Sequence, residues 1–309
     1  MKILLTGSTG MVGRNLLDHP EAATHEWLTP ASRELNLLDA QAVLDYLQRH
    51  RPDCVIHAAG KVGGIQANML EPVGFLVDNL DMGRNVVLGA LKAGVPRLLN
   101  FGSTCMYPRD RDGALQEGDI LTGSLEPTNE GYALAKITVA RLIDYVRREH
   151  PSLAYKTMIP CNLYGAHDKF DPRWSHMIPA VLHKLHEARQ HNQSSVEIWG
   201  TGEARREFMF AQDLADAVYR ALNDFDQVPD LMNIGLGVDH SVNDYYEIAA
   251  KVVGYTGGFH HDLTKPTGMQ RKLADVSRAN AWGWRSRYSL EEGLRLTYQH
   301  YLEHVANEH

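Results

Sequence analysis

The strongest constraint on the fold is a glycine-rich turn between an apolar strand pattern and a helical pattern at the start of the chain. Residues 2–6 read Lys-Ile-Leu-Leu-Thr and lead into Gly7-Ser-Thr-Gly10-Met-Val-Gly13. Glycines in this context allow a tight turn and a close backbone approach to a diphosphate, and the following helix N-terminus attracts negative charge. The pattern predicts a dinucleotide site whose cofactor contacts are Gly7, Gly10, Met11, Val12 and Gly13.

Short apolar segments alternate with longer amphipathic ones up to residue 165. The predicted strands are 2–6, 26–30, 54–58, 97–102 and 155–160. The predicted helices between them are 12–18, 40–50, 72–93 and 131–150. This alternation is typical of an α/β fold with a Rossmann-type, doubly wound parallel sheet.

Beyond residue 165 the pattern loosens and indicates a smaller mixed α/β C-terminal substrate lobe. The predicted elements there are a strand at 196–199 and helices at 176–190, 213–222, 242–253 and 290–306. We expect a dinucleotide-binding domain over residues 1–165, with the chain returning to it near 204–240. Residues 166–203 and 241–309 would then form the substrate-binding lobe.

Composition excludes several classes of protein. The 309 residues are 44% hydrophobic and 22% charged, which is ordinary for a soluble domain, and no run of about 18 apolar residues predicts a membrane span. A net charge of −7 argues against nucleic-acid binding. The three cysteines lack metal-ligand spacing, so we expect no metal. With no signal-peptide pattern at the start, we expect a reduced, cytoplasmic protein.

The region after the second predicted strand bears on the choice of cofactor. An NAD site usually carries an acidic residue there, but residues 29–33 read Thr-Pro-Ala-Ser-Arg. Arg33 can instead meet a 2′-phosphate, which favours NADP(H) over NAD. Asp39 is expected beside the adenine, and Ala58 and Ala59 are expected beneath the cofactor.

Three polar residues suggest carbonyl–alcohol chemistry. Tyr132 and Lys136 are four residues apart on a predicted helix, so they share one face. A phenol has a pKa of about 10, and a nearby ammonium is expected to lower it. Ser103 ends a predicted strand at the edge of the sheet where ligands bind. We expect Ser103 to orient a carbonyl and Tyr132 to pass the proton, while Lys136 tunes Tyr132 and holds the cofactor ribose.

Together with the GxxGxxG spacing, these residues resemble the extended short-chain dehydrogenase/reductases, and within them the GDP-L-fucose synthase family. The resemblance runs nearly end to end. It is carried by the segments 34–39, 61–65, 102–108, 125–129, 162–168, 175–179, 206–208 and 271–273. It implies an NADP-dependent 3,5-epimerase/4-reductase that acts on a GDP-4-keto-6-deoxy-hexose.

The resemblance implies that Cys105 and His176 are the acid/base pair for epimerisation. A ketone at C4 acidifies the hydrogens on C3 and C5, so each carbon can lose a proton and regain it on the other face. Thiol and imidazole groups titrate near neutrality and suit this exchange. The related 4,6-dehydratases carry an Asp-Glu pair after the threonine, whereas here Thr104 is followed by Cys105-Met106. A dehydratase is therefore a poor fit.

The resemblance also implies a set of substrate contacts. They are Asn162, Leu163, Lys184, Trp199, Arg206 and Lys272. Arg206 and Lys272 are the expected partners of the diphosphate. Two positions depart from the family pattern, since Thr9 and Lys184 stand where arginines are usual. The first departure leaves Arg33 to supply the 2′-phosphate contact.

Several alternatives remain open from the sequence. One alternative keeps the site and changes the sugar, either to a 3,6-dideoxy-4-keto substrate giving GDP-colitose, in which only C5 would invert, or to a GDP-6-deoxy-heptose. A non-catalytic NADP-binding sensor is disfavoured by the intact Ser103, Tyr132 and Lys136 set. A single-function reductase is disfavoured by the presence of both Cys105 and His176. By analogy, the long helices 72–93 and 131–150 predict a homodimer.

Overall fold

The computed structural model describes residues 1–171, 175–265 and 269–306. Its strands are β1 (Lys2–Thr6), β2 (Glu26–Leu28), β3 (Cys54–His57), β4 (Arg97–Phe101), β5 (Ala154–Pro160), β6 (Asn162–Tyr164), β7 (Ser195–Trp199), β8 (Arg205–Arg206), β9 (Phe208–Phe210), β10 (Leu231–Ile234), β11 (His240–Ser241), β12 (Gly258–Asp262) and β13 (Arg271–Lys272). Its helices are α1 (Met11–Leu17), α2 (Ala40–His50), α3 (Ile65–Leu70), α4 (Pro72–Ala93), α5 (Glu130–Glu149), α6 (Met177–Gln190), α7 (Ala211–Asn223), α8 (Val242–Val253), α9 (Ser277–Ala281) and α10 (Leu290–His304).

A six-stranded, fully parallel sheet forms the centre of the first core, in the order β10-β5-β4-β3-β1-β2. Its side chains alternate between two buried faces because successive residues of a strand point in opposite directions. Ile3 and Leu5 pack towards α1 and α7, whereas Leu4 packs towards α2, α4 and α5. Helices on both faces confirm the predicted doubly wound sheet.

Many predicted elements are confirmed residue by residue. β1, α2, α4 and α8 match the predicted ranges at both ends. The second strand ends at Leu28 instead of residue 30. The next two positions are Thr29 and Pro30, and proline has no N–H to donate to the ladder.

A second apolar core lies among α6, α8 and α10 and the parallel pair β7–β12. It is rich in aromatic side chains; Tyr245 and Tyr301, for example, are fully or nearly fully buried. A small sheet of order β11-β8-β13 borders this core. β6 continues from β5 and pairs with β9. Among the described residues, no helix is both long and apolar enough to span a membrane.

Candidate active site

The glycine-rich turn lies against the end of β3. Gly7 follows β1 and has φ +74°, and a Cβ atom at this position would lie 2.6 Å from the backbone nitrogen of Ala59. A Cβ on Gly13 would lie 2.3 Å from the carbonyl oxygen of Gly7. The connections from β1 and β3 leave in opposite directions, and open α/β sheets bind ligands at such a switch point. The tight turn that the sequence predicts for a diphosphate is therefore present at this switch point.

Beneath this turn, a hydroxyl group joins a buried imidazole and the backbone through hydrogen bonds. The buried imidazole of His57 is 2.8 Å from the hydroxyl of Thr6, and the N–H of Ala59 donates to the same hydroxyl. Burial lowers the pKa of His57 to about 3, with a further contribution from the charge of Lys136. His57 is therefore neutral at physiological pH.

The remaining predicted cofactor residues are placed as follows. Met11 and Val12 begin α1, and Gly10 precedes them without a side-chain cap. Arg33 is exposed in the turn after β2. The carboxylate of Asp39 accepts hydrogen bonds from the N–H groups of Gln41 and Ala42, so it caps α2. Its expected proximity to the adenine stays a prediction.

Ser103, Tyr132 and Lys136 lie together at the carboxyl edge of β4. The Ser103 side chain lies close enough to Tyr132 to lower the pKa of its phenol, and its hydroxyl accepts a hydrogen bond from the Cys105 N–H at 3.2 Å. The Lys136 ammonium donates to the carbonyl of Phe101 at 3.0 Å and lies 5.7 Å from the centre of the Tyr132 ring. The helix α5 thus presents both residues to one side, as their spacing predicts.

The pKa values in this group differ from the sequence-based expectation. Burial raises the pKa of Tyr132, an effect that Cys105 adds to and the hydrogen bond from Ser103 opposes. The expected lowering by Lys136 is therefore wrong, because burial dominates and the ammonium is directed to a backbone carbonyl. Burial also lowers the pKa of Lys136 to about 8. Tyr132 is protonated at neutral pH, which is the form that a general acid requires.

Cys105 is a half-buried thiol with two donors beside its sulphur. Asn129 Nδ2 lies 3.2 Å from the sulphur and Lys272 Nζ lies 3.6 Å from it. The other two thiols, Cys54 and Cys161, are buried in the first core. Sequence reasoning gave no role to Asn129, although it ends one of the motifs that carry the resemblance. Lys272 lies beside the thiol, and its expected contact with the diphosphate stays a prediction.

His176 immediately precedes α6 and is solvent-exposed, with an extended backbone and no capping hydrogen bond from its side chain. Although the residue as a whole is exposed, the protein around its imidazole partly desolvates the ring and lowers its pKa, and the charge of Lys169 lowers it further. The loop 60–64 runs between this region and Lys136. A Cβ on Gly60 would lie 3.8 Å from Lys136 Nζ, and one on Gly64 would lie 3.8 Å from the Ser175 carbonyl oxygen. The pairing of His176 with Cys105 stays a prediction.

The predicted substrate residues fall into two groups. Arg206 and Lys272 are register partners in β8 and β13. Asn162 and Leu163 lie in β6, where the Asn162 amide donates to the carbonyl of Glu207 at 3.2 Å.

Lys184 and Trp199 form the second group, near β7. The Lys184 ammonium donates to the Glu197 carbonyl at 2.8 Å, and burial lowers its pKa. The indole of Trp199 is 47% exposed, donates to the Glu197 carboxylate and has the Lys265 ammonium 5.6 Å from its ring centre. Trp199 therefore offers an accessible aromatic face that a planar ligand could cover.

Comparisons with known proteins identify the family. The model of the NAD dependent epimerase/dehydratase family matches residues 3–235. The chain is 51% identical over 308 residues to the GDP-L-colitose synthase of Yersinia pseudotuberculosis, with all of both chains covered. It is 48% identical over 301 residues to the GDP-L-fucose synthase of Azorhizobium caulinodans, covering 97% of this chain and 96% of the relative.

A solved structure shows the same fold. The GDP-mannoheptose C4 reductase from Campylobacter jejuni, solved with NADP bound, superposes with a TM-score of 0.88 at 28% identity. The match covers 97% of this chain and 98% of that one. The resemblance drawn from the sequence motifs is thereby confirmed, and the chain belongs to the NAD dependent epimerase/dehydratase family.

Proposed function

We propose that the chain is an NADP(H)-dependent 3,5-epimerase/4-reductase of a GDP-4-keto-6-deoxy-hexose, forming GDP-L-fucose. One observation carries the proposal. Cys105 lies beside the reductase group of Ser103, Tyr132 and Lys136, because its N–H donates to the Ser103 hydroxyl at 3.2 Å, and it also affects the pKa values of Tyr132 and Lys136. A reduction site and a proton-exchange group therefore lie next to each other.

The residues at the glycine turn fit the cofactor. Gly7 and Gly13 let the turn pack directly against neighbouring backbone, where a Cβ atom would clash, and His57 beneath the turn is neutral. Arg33 is exposed after β2, where a 2′-phosphate would need a cation. The cofactor, when bound, supplies the hydride for C4. Ser103 orients the C4 carbonyl and Tyr132 donates its proton to the carbonyl oxygen. Lys136, whose ammonium lies 5.7 Å from the centre of the Tyr132 ring, would hold the nicotinamide ribose.

Inversion at C3 and C5 is assigned to Cys105 and His176. The C4 carbonyl stabilises the enolate that forms when either carbon loses its proton. One of the two residues removes the proton from one face of the ring, and the other returns a proton to the opposite face. The lowered pKa of His176 supports a role as base, since its imidazole is neutral at pH 7.

The second candidate changes only the sugar. The relative at 51% identity is a GDP-L-colitose synthase, which supports a 3,6-dideoxy-4-keto substrate. A 3-deoxy sugar lacks the C3 hydroxyl, and only C5 would invert. The structural neighbour that acts on a GDP-mannoheptose supports a heptose as a further variant. All three products use the same residues for reduction.

The proposal also covers the assembly, the domain roles and the location of the protein. We propose a homodimer that pairs α4 and α5 with their copies; exposed apolar residues on these helices, Val73, Val77, Leu134 and Tyr145, support it. We also propose that residues 1–165 with the return at 204–240 bind the cofactor, while 166–203 and 241–309 bind the sugar. Free thiols at three positions support a cytoplasmic location.

The decisive experiment measures NADPH oxidation with GDP-4-keto-6-deoxy-mannose and, in parallel, with its 3-deoxy analogue. The product's stereochemistry is assigned by NMR. Turnover of the first substrate with inversion at C3 and C5 supports GDP-L-fucose formation. Preferential turnover of the analogue would move the assignment to GDP-colitose. Absence of NADPH oxidation with both substrates and with the heptose analogue would refute the proposal.

A further inference from the structure

Two pairs of cations lie side by side on the short strands β8 and β13. The strands are parallel, with Arg205 opposite Arg271 and Arg206 opposite Lys272. Because strand residues alternate between faces, the pair Arg205 and Arg271 points away from the pair Arg206 and Lys272. Like charges at paired positions of a sheet repel each other and weaken the pairing.

A buried carboxylate lies between the first pair. Arg205 Nε donates to one carboxylate oxygen of Asp239 at 2.8 Å, and Arg271 Nε donates to the other. Arg205 also donates to the Asp239 carbonyl at 2.6 Å. Burial would raise the pKa of Asp239, but hydrogen bonds from Arg271 and Arg205 outweigh it and the pKa lies below its usual range. Asp239 is ionised and joins the two strands.

The face of β13 that carries Lys272 lies beside the candidate active site. Lys272 Nζ lies 3.6 Å from the sulphur of Cys105. The chain after Lys272 is held as well, because the Ala274 N–H donates to the buried carboxylate of Glu207 at 2.8 Å. The position of the Lys272 ammonium therefore depends on how β13 lies against β8. Asp239 offsets the repulsion between Arg205 and Arg271, which are paired on these two strands.

We propose that Asp239 is a positioning residue: by holding Arg271 against Arg205, it fixes β13 in the register that places Lys272 beside Cys105. The catalytic meaning of that placement rests on the proposed function, but the placement itself can be tested without substrate. An ammonium beside a sulphur stabilises negative charge on it and speeds its alkylation. Cys54 and Cys161 are buried, so Cys105 is the accessible thiol of the folded protein.

The test measures the rate at which iodoacetamide alkylates Cys105, followed by mass spectrometry of the peptide that contains it. Lys272→Met sets the rate expected without the ammonium. We expect Asp239→Asn to slow alkylation about fivefold, which is close to the rate of Lys272→Met. We expect Arg271→Gln alone to slow it about twofold. Asp239→Asn combined with Arg271→Gln should recover to about the twofold level, because the repulsion has been removed.

Asp230→Asn is the control for removing an aspartate that joins two cations, since Asp230 contacts Arg147 and Lys156 near the start of β5 and β10, away from Cys105. It should lower thermal stability without slowing alkylation. The proposal is overturned if Cys105 is alkylated as fast in Asp239→Asn as in wild type or in Asp230→Asn. It is also overturned if Cys105 is alkylated no faster in the double variant than in Asp239→Asn. If Asp239→Asn fails to fold, the Arg271→Gln rate decides: a rate equal to wild type overturns the proposal.

Turnover separates this inference from the proposed function. If wild-type protein oxidises no NADPH with any of the GDP-4-keto sugars, the proposed function fails and the alkylation result still stands. If wild type turns over and Asp239→Asn keeps full inversion with normal alkylation, the positioning role alone fails. The positioning role is supported if Asp239→Asn loses more solvent deuterium uptake than NADPH oxidation, with the oxidation measured on a substrate that is already inverted.

Discussion

The ammonium nitrogen of Lys272 lies 3.6 Å from the sulphur of Cys105, although 167 positions separate the two residues in the chain. Cys105 follows β4 of the large sheet, whereas Lys272 lies in β13 beside the second core. A backbone bridge between Leu115 and Ala274 joins the same two regions. The thiol thus acquires its charged neighbour only when both regions are folded and packed together.

Cys105→Ser should separate inversion from cofactor binding. Serine keeps the size of the side chain, but its hydroxyl does not titrate near neutrality and cannot trade protons with carbon. We expect solvent deuterium uptake at C3 and C5 to fall by about 100-fold or more, with NADPH binding unchanged. Uptake equal to wild type, measured by NMR of the recovered sugar, would remove Cys105 from the mechanism. Cys161→Ser, in the first core, is the control for a general effect of losing a thiol.

Reduction should fail at high pH because Lys136 loses its proton. Its pKa is lowered to about 8 by burial, while the pKa of Tyr132 is raised and leaves that residue protonated over the same range. We expect kcat/KM for NADPH oxidation to fall about tenfold per pH unit above that value. We expect Lys136→Arg to have a lower kcat/KM at every pH. Its fall in kcat/KM should begin at a higher pH, because a guanidinium stays charged. A decline at the same pH in both proteins would assign it to another group.

Gly7→Ala should abolish cofactor binding and destabilise the fold. A Cβ there would lie 2.6 Å from the Ala59 nitrogen and would also occupy a φ of +74°. Gly94→Ala is the matched control, since its φ is +71° but nothing lies within 4 Å of the added atom. We expect about 1 kcal/mol of destabilisation for the control and about 3 kcal/mol for Gly7→Ala, from urea unfolding. Equal losses would show that the close approach to Ala59 costs nothing.

Asp168→Asn should change the pH dependence of stability. Burial raises the pKa of Asp168 from 3.8 to about 7, with the Lys169 N–H and charge opposing it. Among the described parts of the chain, one of its carboxylate oxygens has no hydrogen-bond partner. Between those pH values the folded protein binds more protons than the unfolded chain, so stability falls as the pH rises towards 7.

The substitution removes this charge without changing the shape of the side chain. From pH 4 to pH 8, we expect the free energy of unfolding of the variant to rise relative to that of wild type by on the order of 2 kcal/mol. Urea unfolding at both pH values measures the difference. A parallel pH dependence in the two proteins would contradict the role given to Asp168.

The sequence predicts the first core well because its signals are local. A continuous apolar run, Ile3-Leu4-Leu5, defines β1 as a strand buried on both faces. The length and amphipathic pattern of α2 and α4 define both ends of those helices. The Ser103, Tyr132 and Lys136 group could also be found, since a helical spacing and a strand end determine where its members point.

The remaining parts depend on distant contacts. The strands β8, β11 and β13 have two residues each, too few for any periodicity to appear. The expected pKa of Tyr132 was wrong because burial of a hydroxyl is a property of the packed protein and leaves no mark on the spacing of two residues. The contacts of Asn129 and Lys272 with the same sulphur likewise require the tertiary structure.

The edge strand β10 pairs with β5, yet 70 residues of chain separate the end of one from the start of the other. During synthesis, the ribosome must therefore produce three-quarters of the protein before the large sheet has its last strand. Until then the outer edge of β5 offers unpaired backbone groups to any other chain. A nascent protein of this topology spends that interval open to misassociation, and binding of a chaperone during it would protect the yield.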